Sequence, residues 1–192
     1  MRRAGLVLGG GRSTRMGTDK LALVLEGRPL LTRSVDAALT WASRVVVAGD
    51  PPHGWSSDPR VRFRRESPAF GGPVAGIAAA LPLLEDADEV LILAGDLADP
   101  LSVVRLLAAE PEGEDGIALE DTSGWPQYLA GRYRLGSLRD ALSLLEDPRD
   151  VSVRRLMRPL TVRLIPAPAT ATQDLDTPEV AKILGARPPH SR

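Results

Sequence analysis

The chain has 192 residues, 43% hydrophobic and 26% charged, with a formal net charge of -1 at neutral pH and no cysteine. That length buries roughly 70% of the surface an unfolded chain exposes, enough for one core, while the near-neutral charge argues against broad attraction to nucleic acid. The missing cysteines exclude disulfide scaffolds, thiolate metal sites and cysteine nucleophiles, and no apolar run approaches the ~20 residues that span a bilayer. The expectation is a cytoplasmic protein, one domain over residues 1–192 with a frayed tail from residue 185, whose partner is a small molecule rather than nucleic acid or membrane.

In chain order, "GLVL" at residues 5 to 8 is an apolar run ending at glycines, a buried strand feeding a loop. "RPLLTRSVDAALTWA" from Arg28 has apolar residues at helical spacing, with Pro29 expected in the first turn. "RVVVAG" (44–49) is a β-branched strand, "DPPHGWSSD" (50–58) a surface loop, and "RVRFR" (60–64) alternates with period two. "VAGIAAALPLL" after Pro73 predicts a helix, "EVLILAGD" (89–96) the most apolar strand and "SVVRLLAAE" another helix. Strands and helices in alternation predict βαβ units and a mainly parallel sheet. Beyond them, "DGIALE" and "YLAGRYRL" read as strands, "SLRDALSLLE" and "SVRRLM" as helices, and "LTVRLIP" as a last strand. Two short strands around Trp125 to Arg134 are expected to pair antiparallel, giving a mixed sheet.

The stretch "LVLGGGRSTRMGTDK" (6–20) places three glycines and then Arg12, Arg15 and Lys20 directly after the first strand. A Walker loop fails, because Gly17 is followed by Thr18-Asp19-Lys20 and Arg12 stands five residues before it. A dinucleotide loop is weak, because its third glycine falls on Thr14. Phosphate remains the expected ligand: glycines let backbone N–H groups approach an anion, and the basic side chains pair with its oxygens. Ligands of open parallel sheets bind at the carboxyl ends of strands.

The same stretch resembles the signature of the MobA-like nucleotidyltransferases, Leu-Ala-Gly-Gly-x-Ser-x-Arg-Met-Gly-x-Asp-Lys, and "GRPLLTRSVDAAL", "GGPVAGIAAAL", "LILAGDLADP" and "DLDTPEV" resemble later family segments, together covering most of residues 4 to 184. The resemblance is nearest to the molybdenum cofactor guanylyltransferases. It implies a three-layer, Rossmann-like α/β fold of the nucleotide-diphospho-sugar transferase type, with Leu8, Gly9, Gly10, Gly11, Arg12, Arg15 and Lys20 around a nucleoside triphosphate. Gly9 stands where the family usually has Ala. At Gly10 the guanylyl branch has Gly and the cytidylyl branch Ala; Asp176 looks more like the cytidylyl branch.

Asp96 corresponds to the acid that holds Mg²⁺, a hard cation wanting oxygen donors. Because Leu97-Ala98-Asp99-Pro100 replaces the usual shorter path to Pro, Asp99 is a second candidate. Asp174 and Asp176, two residues apart in "DLDTPEV", would share one face of an extended segment and join Asp96 around the metal; the same stretch also makes a good helix start. Glu66 is either a contact to guanine or an ordinary surface acid. Gly71, Gly72 and Pro73 shape the base pocket, with Gly76 permitting close approach. Residues 146 to 157, where the family has a pterin-receiving loop, carry Arg149, Arg154 and Arg155, which either engage an anionic acceptor or form a solvated basic face. The implied reaction is transfer of GMP from GTP to molybdopterin, with Arg15, Lys20 and Asp96 catalytic. CTP, another phosphorylated acceptor, or GTP binding without turnover are the alternatives. His53 and His190 receive no catalytic role.

Overall fold

The computed structural model describes residues 1–10, 23–168 and 171. Seven strands form one mixed sheet. β1 (Arg3–Leu8) lies between β4 (Val45–Ala48) and β6 (Glu89–Ala94), parallel to both, and β5 (Val61–Phe63) extends the parallel part beyond β4. On the other side of β6 the chain inserts β8 (Pro126–Arg134) antiparallel, followed by β7 (Gly116–Glu120) and β9 (Val162–Pro166), the last two parallel to each other. The order is β5-β4-β1-β6-β8-β7-β9, and a separate hairpin joins β2 (Val24–Leu25) to β3 (Arg28–Pro29).

The central strands are continuous apolar runs because both of their faces are covered. Leu6, Leu8, Val46 and Ala48 pack with α2 (Pro73–Ala80), α4 (Leu135–Ser143) and α5 (Val153–Met157). Val7, Val45 and Val47 face the other way, onto α1 (Leu30–Leu39) and α3 (Pro100–Ala109). The result is the mainly parallel α/β sheet expected from the alternation of elements, in the three layers that the family resemblance implies. No helix among the described residues is long and apolar enough to cross a membrane.

Three local expectations change. Pro29 lies before the helix, ending β3 and flanking α1 with φ -58° and ψ 142°, while the Leu30 N–H donates to the Leu23 carbonyl at 2.9 Å and closes the hairpin. The ring's fixed φ suits either place, and the hairpin decides between them. Pro82 ends the α-helical run: α2 stops at Ala80 and a 3-10 turn (Leu81–Leu84) takes over, since proline removes a donor and crowds the preceding turn. The two short strands expected around Trp125 to Arg134 are one nine-residue strand, β8, paired on both sides. Its lower end is tied to β6 by a buried pair, Arg132 to Glu89 at 3.6 Å, with side chains 3% and 6% exposed.

Candidate active site

Where β1, β4 and β6 end, their chains leave the sheet together. Leu8 is level with Ala48 and Ala94. Gly9 N–H donates to the Ala48 carbonyl and Gly95 N–H to the Leu8 carbonyl, both at 3.0 Å, so Gly9, Gly10, Gly49 and Asp96 rim one edge. Glycine is required at two of these points. A Cβ on Gly49, whose φ is +155°, would lie 2.5 Å from the Gly9 carbonyl oxygen. A Cβ on Gly9 would lie 2.5 Å from Val47 Cγ1 and 3.3 Å from Leu31 Cδ1. The space that the family's usual Ala would occupy is here filled by Val47, a compensation 38 residues away in the chain.

α2 starts at the same edge. Its N-cap is Gly72, with φ +89° and ψ 176°, and Pro73 occupies the first turn, where a missing N–H costs nothing. Gly76 would carry its Cβ 3.3 Å from the Ala48 methyl and 3.7 Å from Leu8 Cδ2, so its small size seats the helix on the ends of β1 and β4. The N-terminal end of the helix, with its partial positive charge, therefore opens beside the glycine rim. Glu66 builds the turn leading into it: one carboxylate oxygen accepts the Phe70 N–H at 2.9 Å, and Phe70 has φ +67°. Arg65, ion-paired to Asp50, stands 4.8 Å over the Phe70 ring.

Asp96 lies two residues beyond β6 and is half-buried. Asp99, the second acid considered for a metal, is the N-cap of α3, its carboxylate accepting the Ser102 N–H at 3.1 Å. That bond commits the Asp99 carboxylate to the start of α3. No group of three or more His, Cys, Asp or Glu side chains suited to a metal occurs among the described residues. Gly11, Arg12, Arg15, Lys20, Asp174 and Asp176 lie outside those residues.

On the far side of Asp96 is a feature the sequence reading missed, a cavity of about 290 Å³ between β8 and α5. Ala94 and Leu97, flanking Asp96, form its inner end; Trp125, Tyr128, Val153 and Arg154 form its sides. Trp125 is 59% exposed, and the Arg154 guanidinium sits 5.7 Å from its ring centroid. An exposed tryptophan after a turn carries no periodic signal; only its place beside the strand end gives it meaning. The three basic residues of this region separate. Arg154 lines the cavity, Arg155 is exposed, and Arg149 is bonded to Asp147, whose carboxyl it holds down to about 2. Arg149 also packs its stem near Gly71, while the Asp150 N–H donates to the Gly71 carbonyl at 2.8 Å.

Residues 5–164 match the family model of the MobA-like NTP transferase domain. The chain belongs to this family. It is a nucleotidyltransferase. It is 40% identical over 144 residues to a probable molybdenum cofactor guanylyltransferase of Synechococcus elongatus, covering 70% of this chain and 73% of that protein. It is 30% identical over 194 residues to the molybdenum cofactor guanylyltransferase of Rhodobacter capsulatus, covering 93% of each. Its fold is shared with the molybdopterin-guanine dinucleotide biosynthesis protein A of Archaeoglobus fulgidus, at TM-score 0.62 and 18% identity over 95% of this chain and 96% of the other.

Proposed function

We propose that this chain transfers GMP from GTP to the terminal phosphate of molybdopterin and releases pyrophosphate, with residues 1–192 acting as one cytoplasmic domain that binds neither nucleic acid nor membrane. The observation that carries the reading is the position of Asp96 between two unlike surfaces. On one side lies the glycine rim of Gly9, Gly10, Gly49 and Gly72, suited to a triphosphate; on the other lies the Trp125–Arg154 cavity, suited to a flat ring system with an anionic group.

The acceptor phosphate attacks the α-phosphate of GTP in line, and no covalent enzyme intermediate is required. What the protein supplies is positioning of two mutually repelling anions and neutralisation of their charge. Lys20, Arg15 and Arg12 take the triphosphate oxygens, and Gly72 and Pro73 flank the base. Glu66 keeps its turn in shape and presents the rest of its carboxylate toward the guanine edge. Asp96, with Asp174 and Asp176 as further donors, would hold a divalent cation, Mg²⁺ in this reading, which when bound neutralises phosphate charge and leaves pyrophosphate a better leaving group.

Thermal melting with each nucleoside triphosphate and Mg²⁺ tests the base, since ligands that bind only the folded state raise its stability. GTP is expected to raise the melting temperature most; a larger rise with CTP or ATP moves the assignment to that base. Pyrophosphate release with molybdopterin tests the transfer, and binding of GTP without release would leave a nucleotide-binding protein. Asp96→Asn is expected to lower turnover at least ~100-fold, the loss of charge stabilisation at the reacting phosphates. Near-normal turnover in that variant removes Asp96 from the site.

A further inference from the structure

The wall of the acceptor-side cavity is an irregular piece of β8, and the irregularity is held from within the core. β7 pairs Ala118 with Gly131 and then Leu119 with Gln127, and β6 pairs Leu93 with Ala130. Those ladders give Tyr128 and Leu129 no partner residue on either neighbouring strand, so they bulge from the sheet, and both line the cavity together with Trp125. A carbonyl leaving a ladder needs another partner. For Tyr128 it is the hydroxyl of Tyr133, which donates to the Tyr128 carbonyl at 2.7 Å.

Tyr133 is fully buried, and two glycines on adjacent strands clear its path. A Cβ on Gly116 of β7 would lie 2.5 Å from Tyr133 Cδ1, and one on Gly131 of β8 would lie 2.6 Å from its hydroxyl oxygen. A phenylalanine would fill this slot equally well as an apolar body. The hydroxyl is what needs a reason, since a buried hydroxyl without a partner is costly, and its partner is the bulge.

We propose that Tyr133 is a positioning residue for the acceptor: its hydroxyl fixes the Tyr128 carbonyl and so holds the Trp125–Ala130 wall against Val153 and Arg154. The inference rests on the acceptor reading of the cavity. Its experiment is Tyr133→Phe in the full-length protein, which keeps the ring and removes one hydrogen bond. The KM for molybdopterin is expected to rise about tenfold, the value of one buried bond turned into affinity, with kcat and the KM for GTP within about twofold of the parent. A fall in melting temperature with all three constants unchanged would show a purely structural tyrosine and overturn the proposal. A second reading needs no turnover: with Trp41 and Trp55 replaced by Phe, the emission of Trp125 is quenched by acrylamide. Tyr133→Phe is expected to raise the quenching constant about twofold, because the freed wall exposes the indole further; an unchanged constant overturns the proposal. A parent protein that binds GTP yet never transfers to molybdopterin refutes the proposed function and the acceptor role with it; the quenching result then shows only whether Tyr133 holds the wall.

Discussion

At Gly9 the structure turns a missing methyl into a packing statement. Because Val47 Cγ1 and Leu31 Cδ1 already occupy the space, Gly9→Ala is expected to destabilise the protein by about 1–3 kcal/mol, the usual cost of overpacking. Urea denaturation should show Gly9→Ala costing much less in a Val47→Ala background than in the parent; an equal loss in both backgrounds would mean that Val47 is not the obstacle. Gly10 behaves differently. Among the described residues, only the Ala48 carbonyl oxygen, at 3.4 Å, lies within 4 Å of a Cβ placed there. Gly10→Ala is therefore expected to change stability by no more than about 0.5 kcal/mol. If Gly10 selects the base, as the difference between the family's branches at this position implies, the ratio of kcat/KM for GTP over CTP should fall at least about tenfold, the discrimination one methyl is worth. Unchanged base preference would place selection elsewhere, with Glu66 and the Gly71–Pro73 turn the next residues to vary.

Among elements, the second half of the sheet is knotted together by one carboxylate. Asp115, just before β7, accepts the Ser137 hydroxyl of α4 at 2.6 Å and the Thr161 N–H ahead of β9 at 2.7 Å, and these bonds, the first foremost, lower its pKa below the ordinary aspartate value. A carboxylate whose pKa is lower folded than unfolded adds stability above the unfolded value near 3.8, and that contribution disappears as pH falls through the lower folded value. Asp115→Asn is thus expected to cost stability at pH 7 and to flatten the dependence below pH ~4, read from melting temperatures between pH 2 and 7. Parallel acid limbs in variant and parent would assign the loss to something other than ionisation. Elements of this half were harder to read in advance than those of the first. "LVL", "VVVA" and "EVLILA" announce themselves because strands covered on both faces are apolar throughout. β8 does not, because its bulge depends on a hydroxyl reaching back five residues and on room left by a glycine of another strand. The glycine rim was legible as composition; its fit was not, since Val47 is remote from Gly9 in sequence. Asp99 was legible in the sequence as a ligand candidate; its bond to Ser102 shows it capping α3.

Across the whole molecule, β6 is central only after β8 has been inserted. Residues 1–110 contain β1, β4, β5 and β6 with α1, α2 and α3, and in them β6 would be a bare edge of highly apolar sequence. Unpaired apolar edges template association, so a chain stopped after Glu110 is expected to aggregate where the full chain stays dispersed, as sedimentation would show. A monodisperse fragment would mean that α3 and its neighbours shield the strand unaided. The other long-range tie has a different consequence. The bond from Asp150 to Gly71, with the Arg149 stem beside it, links the segment following α4 to the turn in front of α2. If filling one half-site shifts this joint, occupancy of either substrate alters affinity for the other by one common factor, because linkage between two binding equilibria is reciprocal. That joint would then be one route by which each substrate is felt at the other's site.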